Sequence, residues 1–251
     1  MVAATFYNFN PALVARCIPR AWELASPEAV VSARFAAADA ALTRLLGPDV
    51  IASADMTRIA GLVREAAGAC SVEGRPLYAG HADLDWPSAP HLAAWHGLSL
   101  LREHRGDGHV AALVAAGLSG IDALVTHVAT GEGFVPGFAR ASRGWSRPEW
   151  DDAVESLVAR NLLEEASAPA PEGIGAPVPG GSDVPEGISA LTPAGTALRA
   201  HVERETDQMA AAPWQHLGGE RTEEVIRIGK AMTRAAGSAG AFPREGVFAQ
   251  R

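Results

Sequence analysis

The segment from His91 to His109 carries the densest set of side chains that could do chemistry in this chain of 251 residues. Its titratable members, in chain order, are His91, His96, Glu103, His104, Arg105, Asp107 and His109. Neutral imidazole and carboxylate groups bind divalent metals and act as general acids and bases. The segment is therefore the strongest candidate for a site that binds a metal, a haem group or a small molecule.

Helical spacing decides which of these histidines can meet. A helix is predicted from about Ala89 to His104, and within it His96 and His104 lie about 12 Å apart along the axis, too far to share one metal. Gly106 suits the C-terminal cap of that helix, and Asp107 suits the N-cap of the next one. His104 and His109 would then converge across the turn. The predicted metal ligands are His104, His109 and Glu103.

Three interpretations of this segment stay open. In the first it is structural, because His and Arg are favourable at a helix C-terminus and Gly and Asp are common turn residues. In the second it lines a ligand pocket without chemistry. In the third it holds a divalent metal, a haem or a catalytic group. The sequence has no HExxH, GxSxG, P-loop or GxGxxG motif, so enzymatic activity is left undecided.

Trp95 lies in the same segment and is a candidate for binding a small molecule. A tryptophan ring has an apolar body and one polar tip, which suits the wall of a pocket for a planar ligand. Arg105 adds a cation that can hold an anionic group. We predict that Trp95, His96 and Arg105 contact a small-molecule ligand.

Composition narrows the class of protein. The formal net charge is −8 at pH 7, and Lys230 is the only lysine. Nucleic-acid binding depends on Lys and Arg that neutralise phosphates, so the charge disfavours DNA binding without excluding it. No apolar run reaches the roughly 18 residues of a membrane span, and the N-terminus does not resemble a secretory signal. Cys17 and Cys70 show no metal-type spacing, which predicts reduced thiols in a cytoplasmic protein.

The elements that must position these residues are helices in the first part of the chain. Asn10-Pro11 and Ser26-Pro27 each place an N-cap residue before a proline at the first helical position. Residues 54–69 carry apolar side chains at helical spacing. We predict a helical, ligand-binding domain over residues 1–130.

Residues 146–199 follow a different order: helix, strand, loop, strand, helix. Ser146 and Glu149 form a capping box at the start of the first helix. The loop 166–187 is rich in Pro and Gly, has no periodicity and is predicted to be a long wing tip. Thr192-Pro193 caps the last helix. This order is that of a winged helix.

The predicted fold is therefore mainly α. An N-terminal helical domain is followed by a C-terminal winged-helix domain over residues 131–240, which includes a two-stranded β wing. Residues 241–251 form a Gly-containing tail.

Two motifs resemble the winged helix-turn-helix of MarR-like regulators. Leu191-Thr192-Pro193-Ala194-Gly195 matches the run that opens the helix after the wing. Arg160-Asn161-Leu162-Leu163 matches the step out of the recognition helix, with Asn in place of Gly. Most of the chain also resembles an uncharacterised actinobacterial helix-turn-helix family, in the runs Ala4–Phe9, Leu101–Val110 and Thr206–Trp214.

This resemblance implies a regulator-like protein but no established activity. It singles out Tyr7 and Asn8 as further ligand-binding residues. It also implies that this chain lacks an opening segment found in the family, and it is compatible with a homodimer.

The recognition helix of the predicted winged helix is acidic. Its exposed positions include Glu149, Asp151, Asp152 and Glu155, whereas a helix that reads DNA needs donors toward bases and phosphates. The predicted DNA contacts are Arg140, Arg143 and Arg147, which cluster near its start. We therefore predict a small-molecule-binding, regulator-like protein in which DNA binding is weak or lost.

Overall fold

The computed structural model describes residues 2–18, 20–165 and 189–241. These residues form thirteen helices, which confirms the prediction of a mainly α protein. In chain order the helices are α1 (Val2–Thr5), α2 (Pro11–Cys17), α3 (Arg20–Leu24), α4 (Pro27–Ile51), α5 (Ala54–Ala67), α6 (Pro76–Ala82), α7 (Pro90–Ala115), α8 (Gly120–Val128), α9 (Pro136–Ser142), α10 (Arg147–Ala159), α11 (Pro193–Met209), α12 (Ala212–Leu217) and α13 (Gly219–Ser238).

The predicted helix starts are confirmed. The side chain of Asn10 accepts the N–H of Ala12 at 2.9 Å at the start of α2, and Ser26 caps α4. Ser146 and Glu149 form the predicted capping box of α10. These caps satisfy backbone donors that have no partner within the helix, which is why they can be read from local sequence.

The prediction of a two-stranded β wing is wrong for the described residues. They contain no strand, only one isolated antiparallel bridge between Leu163 and Leu191. Pairing does not continue toward α10 because the N–H of Leu162 donates to the carbonyl of Leu157 at 2.9 Å and not to the carbonyl of Thr192. The predicted wing tip, residues 166–187, lies outside the described residues, as do residues 242–251 of the predicted tail.

The predicted helix break at Gly106 and Asp107 is also wrong. Helix α7 continues from Pro90 to Ala115, and the carboxylate of Asp107 accepts the N–H of Tyr78 at 2.9 Å instead of capping a new helix. On one continuous helix, two residues five positions apart lie about 140° apart around the axis. His104 and His109 therefore do not converge.

The described residues group into two compact units. The first unit comprises described residues of Met1–Ile18 and Ala112–Glu203, and the second those of Pro19–Ala111 and Arg204–Phe242. Helices α7 and α11 contribute residues to both units. The domain boundary near residue 130 stays a prediction.

Helix α5 supplies the centre of the core of the second unit. Met56, Ile59 and Val63 lie on its buried face, as the helical spacing predicts. Leu217 of α12 and Ile228 of α13 belong to the same apolar cluster. None of the described helices alone is long and apolar enough to cross a membrane, and α7 with α8 passes that test only as a bent pair.

Candidate functional site

A helix-turn-helix lies in the first unit. Helices α9 and α10 are joined by residues 143–146, and Gly144 in this turn has φ = +75°, a conformation that favours glycine. Helix α8 packs against both of them. Helix α10 buries Trp150, Ala153 and Leu157 and leaves its opposite face exposed, so it occupies the place of a recognition helix.

The N-terminal segment holds this turn in place. The indole N–H of Trp145 donates to the carbonyl of Asn8 at 2.9 Å, and the hydroxyl of Tyr7 donates to the carbonyl of Leu118. The amide of Asn10 donates to the carboxylate of Glu149 at 3.1 Å. Tyr7 and Asn8 are two of the predicted ligand-binding residues. Their hydrogen bonds connect residues 2–18 to the segment before α8 and to the turn before α10.

The exposed face of α10 carries negative charge. Between Arg147 and Arg160 the chain has two arginines and four carboxylates, namely Glu149, Asp151, Asp152 and Glu155. The Ser146 hydroxyl and backbone N–H hold the pKa of Glu149 below its usual value, so this group is ionised at neutral pH. A phosphate backbone that approaches this face would meet Asp152 and Glu155, both exposed.

The arginines near this helix form ion pairs and hydrogen bonds with other groups of the same chain. Arg147 donates to Asp151 at 2.8 Å, and Arg160 donates to Asp122 at 3.2 Å and to the carbonyl of Gly117 at 3.0 Å. Arg140 donates to the carbonyl of Trp145 at 3.3 Å. Their positive charge is therefore at least partly offset before any DNA arrives.

Arg143 is the most enclosed of the three predicted DNA contacts. Its guanidinium carbon lies 5.1 Å from the ring centre of Phe9 and 5.0 Å from that of Phe134. Burial lowers the pKa of this guanidinium. These contacts place the guanidinium between two aromatic rings, and its role as a DNA contact stays a prediction.

The Leu-Thr-Pro-Ala-Gly motif has a structural role at the start of α11. The hydroxyl of Thr192 donates to the carbonyl of Asn161 at 2.6 Å and accepts the N–H of Gly195 at 3.0 Å, so it caps the helix and ties it to the end of α10. A Cβ atom at Gly195 would lie 2.1 Å from the carbonyl oxygen of Leu162. Only glycine permits this approach of the two segments.

The structure does not assemble the predicted metal ligands. His104 is buried and its Nδ1 has no hydrogen-bond partner, whereas Nδ1 of His109 lies 2.9 Å from the hydroxyl of Thr206. Glu103 forms an ion pair with Arg102. Within residues 2–18, 20–165 and 189–241, no group of three His, Cys, Asp or Glu side chains is placed to hold a metal ion.

His96 and Trp95 lie together in the second unit. His96 is fully buried, both of its ring nitrogens lack a partner, and its ring centre is 4.8 Å from that of Trp86 and 5.8 Å from that of Phe35. Trp95 packs on the same Phe35 ring at 5.5 Å. Burial, with smaller contributions from the charges of His81 and Arg34, lowers the pKa of His96. The imidazole is therefore neutral at neutral pH.

Two open cavities lie in the second unit. The first, of about 790 Å³, contains Arg105, which pairs with Asp207 at 3.1 Å, and is also lined by Trp214, Gly218, Thr222 and Glu223. The second, of about 510 Å³, has Phe35 and Trp86 in its wall. Both volumes fall in the range of small-molecule sites. Of the five predicted ligand residues, Arg105 lines the first cavity and Trp95 and His96 pack against the wall of the second.

Sequence reasoning did not identify Arg75, Phe35 or Trp86. Arg75 is buried, and its guanidinium donates to the carbonyls of His104 and Met209. The residues next to Arg75 in the sequence do not indicate its role, because its hydrogen-bond partners lie 29 and 134 positions away. Phe35 is the only aromatic residue of α4, and that was a signal that could have been used.

A short helix, a glycine-containing turn and a longer exposed helix, supported by a third helix, define a helix-turn-helix protein. A family profile described as a helix-turn-helix family matches residues 1–243, and the chain belongs to this family. Comparison with curated proteins and with solved structures gives no match. The finer resemblance to MarR-like regulators and the actinobacterial origin stay predictions.

Proposed function

We propose that this protein is a regulator-like helix-turn-helix protein whose recognition helix binds DNA weakly or not at all and whose second unit binds a small molecule. The observation that carries the first part is the exposed face of α10. Asp152 and Glu155 are exposed there, and Arg147 and Arg160 pair with carboxylates of the same chain. Since non-specific affinity for DNA comes from cations that neutralise phosphates, this face opposes binding.

Family membership favours the alternative, in which α10 does contact DNA. The predicted phosphate contacts in that case are Arg140, Arg143 and Arg147. The two possibilities differ in the sign of the effect that the α10 carboxylates have on DNA affinity, which an experiment can measure.

The test is a fluorescence-anisotropy titration with a labelled pool of random-sequence duplexes at about 50 mM and about 200 mM salt. We expect the natural sequence to bind at most weakly, so that its titration gives the lower reference for affinity. The variant Asp152→Lys/Glu155→Lys should gain about tenfold or more in affinity at the lower salt. The matched control, Glu73→Lys/Glu220→Lys, makes the same charge change on exposed residues of the second unit and should gain less.

Tight, salt-sensitive binding by the natural sequence would refute the loss of DNA reading. Equal gains by the two double variants would show that net charge alone, and not the face of α10, opposes binding.

The proposed ligand binding is supported by the two cavities and by the burial of His96. It is tested by thermal unfolding against a panel of small organic cations, anions and neutral compounds. We expect at least one compound to raise the melting temperature, because a ligand that binds only the folded state stabilises it. A panel without any stabilising compound would count against the ligand-binding part of the proposal.

A further inference from the structure

Negatively charged residues line the 510 Å³ cavity of the second unit. Its charged lining residues are Glu28, Asp83 and Asp85, all exposed, and no lysine or arginine is among the residues that line it. The backbone N–H groups at the start of α4 and the hydroxyl of Ser26 hold the pKa of Glu28 below its usual value. The cavity therefore presents carboxylates to whatever enters it, whereas the larger cavity contains Arg105 as well as acidic groups.

The wall of this cavity is aromatic. Phe35 from α4 and Trp86 from the loop before α7 both line it, with Leu84 adding apolar surface. The face of an aromatic ring carries partial negative charge and attracts cations. Trp86 already shows this property in the structure, since the guanidinium carbon of Arg64 stacks 4.7 Å from its ring centre.

Behind this wall lies a buried polar group without a partner. His96 packs against both Phe35 and Trp86, is fully buried and has no hydrogen bond at either ring nitrogen. A buried polar group without a hydrogen-bond partner destabilises the folded protein and calls for an explanation. Because burial lowers its pKa, the imidazole is neutral and offers a lone pair that accepts a hydrogen bond from a cationic N–H.

We propose that the cavity bounded by Phe35, Trp86, Asp83 and Asp85 binds a small organic cation with an apolar body, such as an aralkyl amine. The carboxylates attract and hold the ammonium group, and the aromatic wall contacts the apolar body. His96, one layer deeper, packs against both rings and is neutral, so it does not repel the bound cation. This inference deepens the ligand-binding part of the proposed function and does not depend on the DNA part.

The test uses three probes that share a phenylethyl group and differ in charge: phenethylamine (cation), phenethyl alcohol (neutral) and hydrocinnamate (anion). Isothermal titration calorimetry of the full chain at neutral pH should show saturable binding of phenethylamine, affinity for the alcohol lower by about tenfold or more, and no binding of hydrocinnamate. Asp83→Asn/Asp85→Asn should weaken phenethylamine binding by about tenfold. Asp207→Asn/Glu223→Gln, the matched control in the larger cavity, should leave it unchanged.

The inference is overturned if phenethylamine does not bind saturably, or if it binds the Asp83→Asn/Asp85→Asn variant as tightly as the natural sequence. Preferential binding of hydrocinnamate or of the alcohol would also overturn it, while the proposed ligand binding would stand. Phe35→Leu gives a second readout, because it shrinks the aromatic wall without altering charge and should weaken binding of both the amine and the alcohol.

Discussion

Gly108 of α7 leaves the space in which the guanidinium of Arg75 lies. A Cβ atom at position 108 would be 2.2 Å from Nη1 of Arg75, which is less than any real contact. Arg75 is 9% exposed, and its guanidinium donates to the carbonyls of His104 and Met209, the latter at 3.0 Å. The glycine thus allows a buried cation to cross the helix surface and bind backbone oxygens.

Gly108→Ala should therefore destabilise the protein. Arg75 cannot move away without breaking buried hydrogen bonds, so we expect the free energy of unfolding to fall by about 1–3 kcal/mol in urea denaturation. Gly106→Ala in the same helix is the matched control, since its nearest neighbouring atom would be 4.0 Å away. It should leave stability unchanged or raise it by up to about 1 kcal/mol, because alanine favours helix. Equal effects of the two substitutions would contradict the proposed role of Gly108.

Gly195→Ala should be more damaging, because the obstacle is backbone. The new Cβ would lie 2.1 Å from the carbonyl oxygen of Leu162, and that carbonyl is itself fixed by accepting the N–H of Thr192. We expect a loss of about 2 kcal/mol or more in thermal or urea unfolding. Gly229→Ala in α13, where nothing lies within 4 Å of the new atom, should be neutral or stabilising. A Gly195→Ala variant as stable as the natural sequence would show that the contact relaxes freely.

Arg143→Met should lower stability without changing DNA affinity. The variant removes the cation between Phe9 and Phe134, and we expect the free energy of unfolding to fall by about 1 kcal/mol. Arg16→Met, which removes an exposed arginine of α2, should remain within about 0.5 kcal/mol of the natural sequence. The anisotropy titration of Arg143→Met in the Asp152→Lys/Glu155→Lys background serves as the second measurement, and a fall in DNA affinity relative to that background would restore Arg143 as a phosphate contact.

The buried histidine predicts a dependence of stability on pH. The pKa of His96 in the folded protein lies below the ordinary value of 6.5, so the unfolded chain binds its proton first as the pH falls. His96 therefore does not lower the free energy of unfolding above about pH 6.5. Below that pH the free energy of unfolding falls, by at most about 1.4 kcal/mol per pH unit for this one group. His96→Leu should therefore show a shallower loss between about pH 7.5 and about pH 5.5.

At the upper pH the same variant should be at least as stable as the natural sequence, because the substitution removes a buried polar group that has no hydrogen-bond partner. Urea midpoints across the pH range give both results. Parallel pH profiles for the two proteins would mean that another group, such as His104, whose pKa is also lowered by burial, accounts for the whole effect.

Local sequence predicts the helix starts and the buried face of α10 well. Ser146 and Glu149 form their capping box, and Trp150 and Leu157 are buried at the spacing that the sequence indicates. Such features depend on residues a few positions apart, so they are visible without knowledge of the tertiary structure.

The same reasoning fails where a distant partner decides the outcome. The Gly106–Asp107–Gly108 run has the composition of a turn, yet α7 continues through it because Asp107 binds the N–H of Tyr78 and Gly108 accommodates Arg75. The predicted wing fails for a comparable reason. The N–H of Leu162, which a longer pair of strands would need, donates to the carbonyl of Leu157 in α10. The cavity with Phe35 and Trp86 likewise joins segments some 50 positions apart, as the sequence shows.

The bond between Asn10 and Glu149 restricts how this chain could evolve. Helix-turn-helix proteins commonly read bases with the first turn of the recognition helix. Here Glu149 closes the capping box and anchors residues 2–18, so a basic residue at this position would loosen both the helix start and the N-terminal segment. A variant selected for tighter DNA binding would have to acquire its cations later in α10, at positions such as Asp152 and Glu155, and would dock on DNA in a correspondingly shifted register.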